Sequence, residues 1–263
     1  MRPAVGKISS AITLSVTSTL LAGLLAATAT VSRAADFSVS PMSLQFSQGS
    51  RSGEIQVRNL DQQAIRFEVR GVDWSQDGNG KNIYVDSQSL IWFPRAMELA
   101  AGESRIIRVG VKAPPASQEK SYIIVLKEVV AEEVKPQSQR GARVRLLLSV
   151  SVPVFIPPAK PQFGGSLEAM GLRAGTLNFV IANTGNQHFS YRETAVIGLA
   201  SDGTEKFRHK VPRSTLLAGS RQRFEVRIPQ EICKQMSEMA LTLVSQEQTE
   251  IKRRLDVSRA DCE

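Results

Sequence analysis

From Val144 to Ile156 an apolar residue falls at every second position: Val144, Leu146, Leu148, Val150, Val152, Val154 and Ile156. The positions between them hold Arg145, Leu147, Ser149, Ser151, Pro153 and Phe155. Alternation with a period of two is the signature of a β-strand. Seven apolar positions on one face make a strand longer than the usual five or six residues. A strand buried on both sides would be apolar on both, so Arg143, Arg145, Ser149 and Ser151 make this one half-solvated or at an edge. An apolar edge of such length is an aggregation hazard unless something covers it.

The same rhythm runs through the rest of the chain. FSVSPMSLQFSQGS (37–50), GEIQVRNL (53–60), AIRFEVRGVDW (64–74), SLIWFPRAMEL (89–99), SRIIRVGV (104–111) and SYIIVLKEVVAEEV (121–134) read as strands, with turn residues between them. In 64–74, Ile65, Phe67 and Val69 share one face and the pattern then slips to Val72 and Trp74, which suggests a bulge at Gly71. PPAKP (157–161) carries three prolines in five residues, a stiff boundary. Beyond it come GTLNFVIANTG (175–185), TAVIGLAS (194–201), EKFRHKV (205–211), RQRFEVRI (221–228), MALTLVSQ (239–246) and IKRRLDVS (251–258), with one short helical turn in 229–239. Short strands spaced about ten residues apart indicate β-sandwiches. The fold class is therefore all-β: two immunoglobulin-like sandwiches, 35–158 and 159–263.

The first 34 residues have a different character. Arg2 and Lys7 precede a long uncharged run, and Ser32 and Ala34 put small residues at −3 and −1 of a cut after Ala34. This is a secretory signal peptide pattern, with an uncleaved membrane anchor as the alternative. Without Arg2, Lys7 and Arg33 the chain carries 30 basic and 25 acidic residues, a net +5 that is no nucleic-acid signature. Export makes a disulfide between Cys233 and Cys262 the expectation. His188 follows a turn and His209 lies among Arg208 and Lys210, neither in a metal-ligand spacing. The chain shows no catalytic or phosphate-cradling motif. The reading is thus not an enzyme, with no metal and no cofactor.

The ordered set SVSPMSLQF, IQVRN, FEVRGVDWSQDGNG, FPRAMELAAGESRIIRVGV, SYIIVLKEV and VPVFIPP resembles the periplasmic pilus-assembly chaperones, the PapD-like group. LNFVIANTGNQHF and LLAGSRQRFEV in the second half are similar to that family as well. The resemblance implies a periplasmic chaperone that lends a strand to a pilus or fimbrial subunit lacking one, then delivers the subunit to an outer-membrane usher. It places the donor side chains at Val144, Leu146 and Leu148, with Val150 and Val152 continuing the same face. Self-association is expected when no subunit is present.

The best-known branch of that family anchors the subunit's terminal carboxylate with two basic residues. Their matching positions here are Ser43 and Pro153, and neither supplies a cation. The pattern is closer to the non-classical, archaic-type branches. Arg108, then Arg105 and Lys127, are the candidate replacements, since a guanidinium forks onto a carboxylate. The alternative function is an exported two-domain structural or adhesive protein.

Overall fold

The computed structural model describes residues 36–47, 49–112, 116–129, 146–245 and 250–263. The expected signal peptide, Val144 and the connection at 135–141 lie outside the described residues. Two hydrophobic cores are present, each enclosed by β-sheets. The first sandwich comprises β1 (Phe37–Ser40), β2 (Leu44–Gln45), β3 (Ser52–Asn59), β4 (Ile65–Gln76), β5 (Asn82–Asp86), β6 (Leu90–Phe93), β7 (Ala96–Leu99), β8 (Ser104–Val111), β9 (Lys120–Val129) and β10 (Ser149–Ile156). One sheet runs β1-β3-β8-β6. The other runs β2-β10-β9-β4-β5, with β7 on the remaining part of β4's outer edge. The first stretch of chain therefore changes sheets between β1 and β2, at Pro41.

The second sandwich comprises β11 (Gly165–Arg173), β12 (Thr176–Asn183), β13 (Phe189–Tyr191), β14 (Thr194–Leu199), β15 (Glu205–Val211), β16 (Ser214–Leu216), β17 (Arg221–Arg227), α1 (Gln230–Cys233), β18 (Glu238–Val244) and β19 (Glu250–Asp256). A 3-10 turn, Arg259–Cys262, follows β19. Its sheets are β11-β12-β17 and β15-β14-β18-β19, with a short β13-β16 ladder. Cys233 and Cys262 are disulfide-bonded, which ties that turn to α1.

Two details differ from the sequence pattern. There is no bulge at Gly71: β4 pairs with β9 without a break from Arg66 to Asp73. Gly71 is there because a Cβ would stand 2.6 Å from the Trp92 ring. Val72 and Trp74 are apolar on the other face of β4, and Trp74 packs against Phe155 of β10 with ring centroids 5.9 Å apart. Strands β5, β11, β13 and β16 have no counterpart in the predicted elements. The alternation of β11 is interrupted by an irregularity between Glu168 and Gly171, and Ala169 and Ala174 have positive φ.

The two sandwiches share one internal brace. Asn59, at the end of β3, is fully buried, and its amide donates to the carbonyls of Gln63, Leu99 and Ala100. Its carbonyl accepts from the Asp61 N–H. Asn183, at the end of β12, does the same with Gln187, Leu216, Leu217 and the Gly185 N–H. Each asparagine thereby satisfies backbone carbonyls from two separate segments of the chain. Replacing either by alanine strands several buried carbonyls, and the expected loss is about 2–4 kcal/mol for the sandwich concerned. Chemical denaturation checks this, and an unchanged midpoint for Asn183→Ala would show that the brace contributes nothing.

Candidate functional site

Strand β10 pairs with β9 from Ser149 opposite Lys127 to Ile156 opposite Lys120. On its other side, among the described residues, only Val154 and Phe155 pair, with β2, and the Phe155 carbonyl accepts from the Phe46 N–H. In an antiparallel pair, alternate residues turn their N–H and C=O toward the partner or away from it. Glu128 N–H donates to the Leu148 carbonyl at 2.8 Å, which fixes the phase. Leu148, Val150, Val152 and Val154 then face β9 with their backbone groups. Leu147, Ser149, Ser151 and Pro153 turn theirs to the outer edge. Pro153 thus breaks no β9–β10 bond and simply ends the run of N–H donors on the open edge.

The side chains divide at the same place. Val152 and Val154 are fully buried in the first sandwich's own core, and Val150 packs partly against it. Leu146 is 66% exposed and Leu148 36%. Val152 is therefore corrected from a donor side chain to a core residue, and Val150 belongs mainly to the core. The strand alternation is continuous across both uses, so periodicity alone does not mark the change. Beside the open edge a groove of about 350 Å³ runs between β1 and β10, lined by Phe37, Val39, Met42, Leu148 and Val150.

A second concavity, of about 640 Å³, lies between the two sandwiches. The first contributes Met42, Ser43, Gln45, Trp74, Asn82, Pro153 and Phe155; the second contributes His188, Ser190, Tyr191, Arg213, Ser214 and Thr215. Ser43 and Pro153, the two positions that matched the family's usual anchor, both line it. Its floor is an aromatic stack in which Phe155 lies on His188 at 3.9 Å and 17°. Burial pushes the Tyr191 phenol up to about 12, against a smaller opposing effect of its hydrogen bond with Ser214. Tyr191 therefore stays protonated and donates to Gln222.

The residues that join the sandwiches were not legible as functional. His188 Nδ1 lies 2.9 Å from both carboxylate oxygens of Glu119, with side-chain exposures of 14% and 2%. The Glu119 N–H donates to the Asn186 carbonyl. Gln76 donates to the Thr215 carbonyl and accepts from the Leu217 N–H. Each such contact links residues some 70 to 140 positions apart, with no local pattern to reveal it.

Of the expected carboxylate anchors, none lines this cleft. Arg105 and Arg108 stand on β8, in the sheet that does not contain β10; Arg105 pairs with Glu103 and Arg108, 81% exposed, with Glu54. Lys127 is on β9 beside Ser149, at the far end of β10 from the cleft. Their strands were read correctly, but a strand's rhythm does not say which sheet it joins. The arginine that does line the cleft is Arg213, in the turn between β15 and β16. It is exposed and makes no ion pair among the described residues.

Comparison with known proteins bears on what this arrangement is. Residues 36–162 match the PapD N-terminal domain of the pili and flagellar-assembly chaperones. Curated protein sequences give no match. Among solved structures, similarity is found to the CsuC–CsuE chaperone–tip adhesion subunit pre-assembly complex from archaic chaperone-usher Csu pili of Acinetobacter baumannii. The TM-score there is 0.57 at 18% identity, over 82% of this chain and 98% of the matched one. The Pseudomonas aeruginosa CupB2 chaperone gives 0.52 at 12% identity, over 84% of this chain and all of its own, that is 100%. The YadV chaperone gives 0.53 at 10%, over 84% and 100%. At these identities the likeness is one of fold, a two-sandwich chaperone fold spanning nearly the whole of each relative. The first sandwich, residues 36–162, therefore belongs to the PapD N-terminal domain family of pili and flagellar-assembly chaperones.

Proposed function

We propose that this protein is a periplasmic chaperone that captures a pilus or fimbrial subunit along the open edge of β10 and completes the subunit's sandwich with its own strand. The observation that carries the reading is that edge: outward backbone groups at Leu147, Ser149 and Ser151, beside exposed Leu146 and Leu148. A strand added there gains main-chain hydrogen bonds, and alternate side chains fill the subunit's groove. Burial of Leu146 and Leu148 would contribute about 3–6 kcal/mol, at about 1.5–3 kcal/mol for each side chain. In the absence of a subunit, a second copy would cover the edge.

Arg213 is the anchor we assign to the subunit's terminal carboxylate. It faces, across the cleft, the positions where a first-domain cation is missing, and a guanidinium holds a carboxylate in a bidentate pair. The chain is exported through its amino-terminal segment and passes the subunit to an outer-membrane usher. It catalyses no covalent step, so the handover draws on subunit folding when a better-fitting strand replaces β10.

Co-expression in the periplasm with a pilus subunit from the same genome tests this. Leu146→Asp with Leu148→Asp is expected to abolish co-purification, because two charges would enter a hydrophobic groove. It should also remove concentration-dependent self-association in sedimentation. Undiminished recovery would sink the donor-strand assignment. Arg213→Ala is expected to cut recovery about tenfold, and Arg213→Lys less, from losing a charge-assisted pair of roughly 1.5–3 kcal/mol. Unchanged recovery would remove Arg213 from the site and leave the donor strand standing.

A further inference from the structure

On β9 the inward face carries Tyr122, Ile124 and Leu126, all buried in the first core. The next inward position is Glu128, a carboxylic acid only 3% exposed. Its cross-strand neighbour on β4 is Phe67, a fully buried core residue. Its neighbour on the other side is Leu148. An apolar residue at 128 would extend the core by one layer and draw Leu148 into it.

The acid does the opposite. In an ordinary ladder the Leu148 N–H would go to the main-chain carbonyl of Glu128. Here it donates to the Glu128 carboxylate at 3.1 Å, while the Glu128 N–H donates to the Leu148 carbonyl. Among the described residues the β9–β10 ladder thus ends in a rung made half by a side chain. An inward-pointing charge is a known way of keeping an edge from being absorbed into apolar packing. A buried carboxylate requires such hydrogen bonds, so the rung is held in place by the cost of losing it.

We propose that Glu128 is a positioning residue that divides β10 into a part used for the protein's own core and a part kept for the subunit. It fixes the strand at Leu148 by the backbone and denies Leu148 and Leu146 an apolar layer of their own to collapse onto. This rests on the donor-strand reading, and Leu148→Asp is run in parallel to keep the two apart.

The test compares Glu128→Leu and Glu128→Gln with the parent. The glutamine keeps an acceptor for the Leu148 N–H, and the leucine does not. Glu128→Leu is expected to leave the denaturation midpoint equal or higher and to lower capture of the co-expressed pilus subunit about tenfold, an opposition that a purely structural role would not produce. Glu128→Gln should stay within about twofold of the parent in both. In the parent itself, the Leu148 amide should exchange with deuterium about a hundredfold more slowly than the outward-turned Leu147 amide. Capture by Glu128→Leu equal to the parent's, stability and capture falling together in both variants, or equal exchange at Leu147 and Leu148 would each overturn the assignment. If Leu148→Asp captured the subunit undiminished, the donor strand itself would be the part at fault.

Discussion

An open sheet edge is the constraint to which the rest of this chain answers. Backbone groups that leave water need partners, and a strand with one free side is a standing invitation to pair. In β10 that side is closed at Val154 and Phe155 by the parallel rung with β2, and again by the second sandwich against Phe155. Pro153 ends the donors on the free stretch. Upstream, Ser149 and Ser151 leave their outward groups available. Ser149 and Ser151 share one face of the stretch with Leu147, while Leu146 and Leu148 stand on the other, so the apolar character is greater on the second face.

The second sandwich explains why the closed half of β10 stays closed. Phe155 lies between Trp74 and His188, and His188 is held by Glu119 from the loop that opens β9. Hydrogen bonds excluded from water to this degree are electrostatically stronger than exposed ones. The pair is also costly to leave half-made. The surface ion pairs, such as Arg66–Glu98 and Arg70–Asp86, are exposed and contribute little by comparison. The domain interface thus rests on a few buried polar contacts and one aromatic stack, placed directly behind the strand whose far end is free.

How much of this could be read in the sequence depends on whether the cause was local. Period-two alternation located most of the strands, the proline-rich boundary separated two regions that prove to have separate cores, and the unusual length of the apolar face pointed to β10. Val152 was misassigned because alternation tells which face a residue is on but not how far the covering layer extends. The rhythm of β8 does not tell that Arg105 and Arg108 stand in the sheet without β10, because sheet membership depends on topology. Arg213 sits in a turn, and His188 depends on residues far away in the chain, so neither left a local sign. Glu128 is the instructive case. The stretch SYIIVLKEVV reads as a strand turning charged, yet strict alternation from Tyr122 already puts Glu128 on the core face. The signal was present, and its meaning needed the rung with Leu148.

The two sandwiches close their ends by different means, and the difference locates the function. Both carry the asparagine brace, at Asn59 and Asn183, so the same corner holds each. In the second, the chain beyond the last strand folds into the 3-10 turn, which the Cys233–Cys262 bond fastens to α1. The Asp261 carbonyl accepts from the Gly175 N–H, and the Ser258 N–H and hydroxyl bind the Asp261 carboxylate. That end has covalent and hydrogen-bonded closure. In the first sandwich the corresponding role falls to Glu128, which closes the core by terminating its last ladder while leaving the strand to run on. A covalent staple there would fix the end but not present it; a single buried carboxylate does both, because it satisfies one N–H on the inside and leaves the backbone of the next residue facing out.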